Sequence, residues 1–143
     1  MKKDVMISLV GKQGDGGEQE KIELMTEGSY YSEDGNHFVT YNETEVTGME
    51  GTTTTLKIED GRITMTRLGQ NNSQLIFERG QKHLCSYEND LGIFTIGINS
   101  GDVRADIGES EGVISAKYRI EFGGGFSGEN DFLMKYRSLT DEH

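Results

Sequence analysis

Residues 52–69 read TTTTLKIEDGRITMTRLG and predict two β-strands joined by a tight turn. Apolar or β-branched residues alternate with polar ones on both sides of the turn signal EDG at 59–61, as expected of half-buried strands. In the first strand Thr54, Leu56 and Ile58 alternate with polar residues, and in the second Ile63, Met65 and Arg67 share one face. The second strand therefore raises the question of why Arg67 lies on the same face as two apolar side chains.

The same alternation recurs along almost the whole chain, in about ten short runs separated by turn signals rich in Gly, Asn and Asp. No segment fits a helical period better than a period of two. The short turns favour an up-and-down barrel over a sandwich with long crossovers. The chain also has no proline to protect a sheet edge, and closure of the sheet removes the edges. We therefore expect an all-β, single-domain protein spanning residues 1–143, with an antiparallel barrel of about eight to ten strands.

Composition narrows the possible partners and the compartment. The chain has 14 Lys and Arg residues and 25 Asp and Glu residues, which give a net charge of -11. This negative charge disfavours nucleic acids and membranes as partners. A single cysteine, Cys85, permits no intramolecular disulfide and suits a reducing compartment. The N-terminal apolar run is too short for a signal peptide or a membrane span. We expect a cytoplasmic protein, and the oligomeric state stays open.

Three segments carry a family resemblance: YNETEVTGMEGTTTTLKIEDGRITMTRLG at 41–69, SYENDLGIFTIGI at 86–98 and GVISAKYRIEF at 112–122. In order and spacing they resemble the YwiB-like family, domain of unknown function 1934, over roughly residues 4–137. One departure is Asp90-Leu91, where the family often has Thr-Pro before the following glycine. The resemblance implies a calycin-like β-barrel, akin to lipocalins, and implies no activity.

Two motifs imitate known sites. GGGFSG at 123–128 matches G-x-G-x-x-G, but the residues after it read as a strand rather than a helix, so we expect a hairpin loop. His83 and Cys85 share a strand face, which can place two soft ligands together, yet structural zinc needs four. We expect an inward cysteine beside a hydrogen-bonded histidine, with no metal and no cofactor. A Cys–His nucleophile pair is the alternative.

Arg67 is the residue that most directly suggests a site. An inward guanidinium must meet a carboxylate, carbonyl groups or water, because a buried charge without partners is very costly. It could cap one end of the barrel, which is a structural role. It could instead line an internal cavity, pair with Glu43, Tyr41 or Tyr87, and offer donors to an anionic group. A β-bulge could also turn it towards solvent.

Three functions remain open from the sequence. The first is a non-enzymatic barrel that binds a small amphipathic or anionic ligand, with a tentative interior site formed by Arg67, Glu43, Tyr41, Tyr87 and His83. The second is a protein-interaction module with a filled barrel and an acidic surface. The third is an enzyme using His83, Cys85 or Glu43, although no catalytic residue can be assigned. The first hypothesis rests largely on the analogy with calycins.

Overall fold

The computed structural model describes residues 2–14, 19–46, 49–70, 72–89, 92–122 and 125–139, and all regular secondary structure within these ranges is β. The strands are β1 (Lys2–Gly14), β2 (Gln19–Glu33), β3 (Asn36–Asn42), β4 (Thr52–Glu59), β5 (Arg62–Gly69), β6 (Ser73–Glu78), β7 (Lys82–Asn89), β8 (Gly92–Ile107), β9 (Glu111–Phe122) and β10 (Gly125–Ser138). No helix in the described ranges has the length and apolar character needed to cross a membrane.

The ten strands close into one antiparallel barrel in which each strand pairs with its neighbours in sequence. Closure comes from β1, which pairs with β2 on one edge and with β10 on the other. The predicted hairpin at 52–69 is present, with Thr54 opposite Arg67 and Ile58 opposite Ile63. The prediction of an all-β closed antiparallel barrel is confirmed, and the described residues form ten strands.

Along each strand every second side chain points into the barrel, so strands in which apolar and polar residues alternate can build a core. Buried apolar side chains from all ten described strands form the core in the middle of the barrel. Its largest fully buried members include Tyr136, Phe77, Ile7, Leu56, Ile63, Ile96, Ile98, Ile114 and Met134. Aromatic edge-to-face contacts link Phe77 to Tyr118 and to Phe132, with ring centroids 4.8 and 5.5 Å apart. These contacts pack the middle of the barrel.

The two ends of the barrel differ. At one, which we call the Tyr136 end, Tyr136 stacks on Tyr30 with ring centroids 5.3 Å apart. The Tyr136 hydroxyl donates to the carbonyl of Gly108 at 2.6 Å. A glycine at position 112, opposite Tyr136, leaves room for the tyrosine ring, which a Cβ there would overlap. The opposite end, where β3 leads into β4 and β5 into β6, is called the Arg67 end.

Two segments singled out in the sequence fall partly or wholly outside the described residues. Asp90 and Leu91 lie outside them, as do Gly123 and Gly124 of the GGGFSG motif. The residue that follows, Gly125, is already the first residue of strand β10. The motif therefore leads into a strand, as expected of a hairpin connection, and no helix N-terminus follows it in the described chain.

Candidate functional site

A row of inward-facing residues crosses neighbouring strands near the Arg67 end, and most of them are polar. In register, Tyr41 of β3 lies opposite Thr54 of β4, and Thr54 lies opposite Arg67 of β5. The row continues through Ser73 of β6 to Tyr87 of β7. We call these five residues the polar row. Tyr41, Thr54 and Ser73 are buried, so the row places hydrogen-bonding groups inside the barrel.

Arg67 points into the barrel, as the alternation of β5 predicts, and no register shift interrupts β5 in its pairings with β4 and β6. Its Nε lies 3.7 Å from Oε2 of Glu43; 17% of the Arg67 side chain and 1% of the Glu43 side chain are exposed. This separation is a charge contact and too long for a hydrogen bond. Arg67 Nε is itself buried and has no hydrogen-bond partner in the described part of the chain.

Glu43 is fixed from two directions. Its backbone N–H donates to the carbonyl of Thr52 at 2.8 Å, which ties the end of β3 to the start of β4. Its Oε2 also accepts a hydrogen bond from the Thr54 hydroxyl. A carboxylate held in this way stays inside the barrel, where the guanidinium of Arg67 balances its charge. Of the two acids weighed in the sequence, Glu45 is exposed, whereas Glu43 is buried.

Two tyrosines of this end, Tyr41 and Tyr118, have a raised pKa. Burial raises the pKa of Tyr41 well above its ordinary value, and the neighbouring Glu43 carboxylate adds to the shift while Arg67 opposes it. Burial likewise raises the pKa of Tyr118, again with Arg67 acting in the opposite direction. Both phenols therefore stay protonated at neutral pH and can donate hydrogen bonds.

A cavity of about 520 Å³ lies at the Arg67 end. Its apolar walls come from several strands: Leu9, Ile22, Met65, Leu75, Ile96, Ile120 and Phe132. Its polar and charged lining consists of Tyr41, Glu43, Arg67, Tyr87, Tyr118, Lys12, Gln13 and Asp131. Four of the five residues named from the sequence, Arg67, Glu43, Tyr41 and Tyr87, therefore line one cavity.

His83, the fifth, lies elsewhere on β7. It does not line this cavity, and its Nε2 lies 2.9 Å from Oε1 of Glu78. Cys85 is buried; its sulfur accepts a hydrogen bond from the N–H of Ile76 at 3.4 Å and lies 3.8 Å from the carbonyl of His83. Burial raises the pKa of the Cys85 thiol, the opposite of what a cysteine nucleophile needs. The arrangement fits an inward cysteine beside a hydrogen-bonded histidine.

Among the described residues, no group of three or more His, Cys, Asp or Glu side chains is placed to hold a metal ion. Sequence reasoning missed two members of the polar row, Thr54 and Ser73. The signal was present for both, because each lies on the inward face of its strand, in alternation with Leu56 and with Leu75. Small hydroxyl side chains at inward positions were passed over, whereas charged and aromatic polar residues were noticed.

The comparisons agree with this architecture. The family model described as domain of unknown function DUF1934 matches residues 7–134. The uncharacterized beta-barrel protein YwiB of Bacillus subtilis (strain 168) is 27% identical over 125 residues, which are 86% of this chain and 87% of that protein. The crystal structure of ywiB protein from Bacillus subtilis superposes with a TM-score of 0.87 at 22% identity, covering 97% of this chain and 94% of the other, which supports the fold. The resemblance seen in the sequence is confirmed, and the chain belongs to the DUF1934 family.

Proposed function

We propose that this protein is a non-enzymatic binder of a small amphipathic molecule with one anionic group, taken up at the Arg67 end of the barrel. The observation that carries the proposal is a cavity with apolar walls that also exposes part of a buried guanidinium, whose Nε has no hydrogen bond within the described chain. A carboxylate on the ligand would satisfy donors of Arg67 that the described side chains leave unused. The proposal retains three expectations from the sequence: a single domain over 1–143, a calycin-like mode of binding and a cytosolic location.

The size and lining of the cavity set the class of ligand. A volume of about 520 Å³ lies within the usual range for small-molecule sites. The aliphatic and aromatic walls suit an apolar chain or ring, because burial of its surface drives binding. Polar groups line the cavity from two sets of strands, with Tyr41, Arg67 and Tyr87 on β3, β5 and β7 and with Lys12, Tyr118 and Asp131 on β1, β9 and β10. Among them Arg67 has a buried Nε without a hydrogen bond in the described chain, and it would fix the position of an anionic head group.

The charges of the cavity argue for one anionic group and against a polyanion. Arg67 and Lys12 are balanced there by Glu43 and Asp131, and the whole chain carries a net charge of -11. A polyanion, whose negative charge is spread over several groups, gains little binding free energy in such surroundings. A single carboxylate in direct contact with Arg67 gains a charge-assisted hydrogen bond, while Glu43 keeps its bond from Thr54.

The two rival functions receive less support. A filled barrel acting only through its acidic surface leaves the cavity at the Arg67 end without a role. An enzyme built on Cys85 needs a thiolate, and the thiol is buried with a raised pKa. Glu43 is engaged by Thr54 and lies beside Arg67, an arrangement that suits an anchored charge partner more than a general base.

The test is a competition experiment with 1-anilinonaphthalene-8-sulfonate as the fluorescent probe, displaced by octanoate or by octanol. We expect octanoate to bind more tightly than octanol. The double variant Arg67→Met/Glu43→Gln, which removes both charges together, should weaken octanoate about tenfold or more and leave octanol nearly unchanged. The matched control is Arg104→Met, which removes an arginine from the outer surface of the barrel, where 74% of its side chain is exposed. Equal affinity of octanoate for the wild type and the double variant, or no binding of either competitor, would contradict the proposal.

A further inference from the structure

Gly11 lies within strand β1, three residues before the strand ends at Gly14. A glycine inside a strand costs stability, because it loses much conformational freedom on folding and has no side chain to pack. Such a glycine usually marks a bulge or bend, the close approach of another part of the chain, or the close approach of a ligand. The surroundings of Gly11 distinguish among these reasons.

The backbone of β1 does not require a glycine at position 11. The strand pairs without a register shift from Val5 to Gly14 with β10, and from Lys2 to Gly14 with β2. Continuous pairing on both edges leaves no bulge along the described length of β1. The φ of Gly11 also lies outside the left-handed region, so other residues can adopt the same conformation.

No neighbouring group fills the space beside Gly11. Its chain neighbours apart, no atom of a described residue lies within 4 Å of a Cβ built on Gly11. Gly28, in the adjacent strand β2, shows the contrast, because a Cβ there would overlap the carbonyl of Thr40 and the side chain of Ile7. Gly28 therefore has a packing reason, whereas Gly11 faces open space.

This open space belongs to the cavity at the Arg67 end, which Gly11 lines. The residues opposite Gly11 in register, Ile22 of β2 and Phe132 of β10, line the same cavity, so Gly11 faces inward between two apolar side chains. Around the closed barrel, three strands separate β1 from β5 in one direction and five in the other. Gly11 and Arg67 therefore lie on facing walls, and the missing side chain widens the cavity across the barrel.

Along the barrel axis, aromatic side chains close the cavity. Phe132 and Tyr118 line it, and both rings contact Phe77, with centroids 5.5 and 4.8 Å away. Phe77 is fully buried in the core. A long chain extended along the axis would meet these rings. The space beside Gly11 instead favours a ligand that is broad across the barrel.

We propose that Gly11 is the specificity-determining residue of this cavity, and that it selects carboxylates with a flat ring system over carboxylates with a thin alkyl chain. This inference rests on the proposed function and adds the shape of the apolar part. The ring system would lie against the bare backbone of Gly11, between Ile22 and Phe132, with its carboxylate towards Arg67. A rigid ring also loses less conformational entropy on binding than an alkyl chain does.

The experiment is a titration of the full chain, labelled with nitrogen-15, with 2-naphthoate and with octanoate, which share a carboxylate and differ in shape. We expect the wild type to bind 2-naphthoate more tightly, with nuclear Overhauser contacts from the ring protons to the Hα atoms of Gly11. Gly11→Val should weaken 2-naphthoate at least about tenfold and octanoate less than about threefold. The reason is that a flexible chain can bend around the added side chain, whereas a ring system cannot.

The matched control is Ser8→Val, which places the same side chain on the outer face of β1, between the inward Ile7 and Leu9. It should bind both ligands as the wild type does. Gly11→Val should be at least as stable as the wild type in urea unfolding, because it fills open space. If it does not fold, Gly11→Ala replaces it and should weaken 2-naphthoate about threefold and octanoate less.

The outcomes separate this inference from the proposed function. Equal losses for the two ligands in Gly11→Val, or no loss for 2-naphthoate, would overturn the role of Gly11. If octanoate binding still weakens in Arg67→Met/Glu43→Gln, the proposed function stands in that case. If neither carboxylate binds to the wild type, both the inference and the proposed function are wrong.

Discussion

Removal of Arg67 alone should destabilise the barrel, whereas removal of Arg67 together with the charge of Glu43 should cost much less. The perturbation is Arg67→Met, which keeps most of the apolar stem and deletes the guanidinium. It leaves the Glu43 carboxylate inside the barrel, where 1% of its side chain is exposed, with the Thr54 hydroxyl still bonded to it but without the cation 3.7 Å away. Glu43→Gln is the companion change, because the amide oxygen can still accept from Thr54 while the charge is gone.

The magnitude follows from the geometry. At a separation near 4 Å and an effective dielectric constant of about 20, opposite unit charges attract by about 4 kcal/mol. Breaking a buried pair by removing one partner typically costs about 3–5 kcal/mol. Because 17% of the Arg67 side chain is exposed, water can reach part of the vacated space, and we expect a loss near the lower limit, about 3 kcal/mol. The double variant should lose about 1 kcal/mol, since no buried charge is left unpaired.

The assay is urea unfolding followed by circular dichroism for the wild type, both single variants and the double variant. The double-mutant cycle should give a coupling energy of at least about 2 kcal/mol between Arg67 and Glu43, because the loss in Arg67→Met alone exceeds the loss in the double variant by about that amount. Arg104→Met, which removes a largely exposed arginine, is the control and should change stability by less than about 1 kcal/mol. If Arg67→Met is as stable as the double variant, or if the two single losses simply add, then Glu43 and Arg67 do not form a coupled buried pair and the reasoning fails.

Three further predictions concern other parts of the barrel. Burial raises the pKa of Tyr41, so the protonated phenol stabilises the fold below the unfolded-state pKa of about 10, and this contribution is lost as the pH rises through the folded pKa. The free energy of unfolding should therefore fall less steeply from pH 8 to 11 in Tyr41→Phe than in the wild type. Equal slopes would contradict this. Cys85→Ser should lower the free energy of unfolding by about 1–3 kcal/mol, because a buried hydroxyl replaces the sulfur that accepts from the Ile76 N–H. The buried thiol of the folded wild type should react with 5,5′-dithiobis(2-nitrobenzoic acid) far more slowly than the thiol of the unfolded chain. Equal reaction rates would show that the thiol is accessible. Gly112→Ala should destabilise by about 1–3 kcal/mol through overlap with the Tyr136 ring, as measured by thermal unfolding, and a variant as stable as the wild type would show that the ring can move aside.

The alternation in the sequence predicted which face of its strand a side chain occupies, but it did not predict how far along the barrel that side chain lies. Alternation placed Arg67 on the same face as Ile63 and Met65, and the structure confirms that it points inward. The same rule put His83 on the inner face of β7 with Cys85 and Tyr87. Tyr87 and His83 are four residues apart, however, which is about 13 Å along a strand. Only Tyr87 therefore lies at the Arg67 end, while His83 lies beside Glu78.

The partner of Arg67 was one of three candidates in the sequence, and tertiary structure selected among them. Glu43 lies beyond the end of β3, and its distance from Arg67 depends on the registers of β3 with β4 and of β4 with β5. The hydrogen bond from its N–H to the carbonyl of Thr52 then holds it at the end of the polar row. None of these registers is encoded in a local pattern, because a pairing of two strands depends on residues of both.

The sequence by itself determined the class of fold, the absence of a helical pattern and the inward face of nearly every strand. These features are local, since the backbone geometry of a strand sends successive side chains to opposite faces whatever the strand pairs with. Tertiary structure alone decided that the polar groups of β3 to β7 meet in one row, that a cavity remains beside Arg67, and that β8 extends past the end of its pairing with β7. These features depend on strand lengths and registers around a closed sheet, where a shift at one pair moves the residues that face one another across the interior.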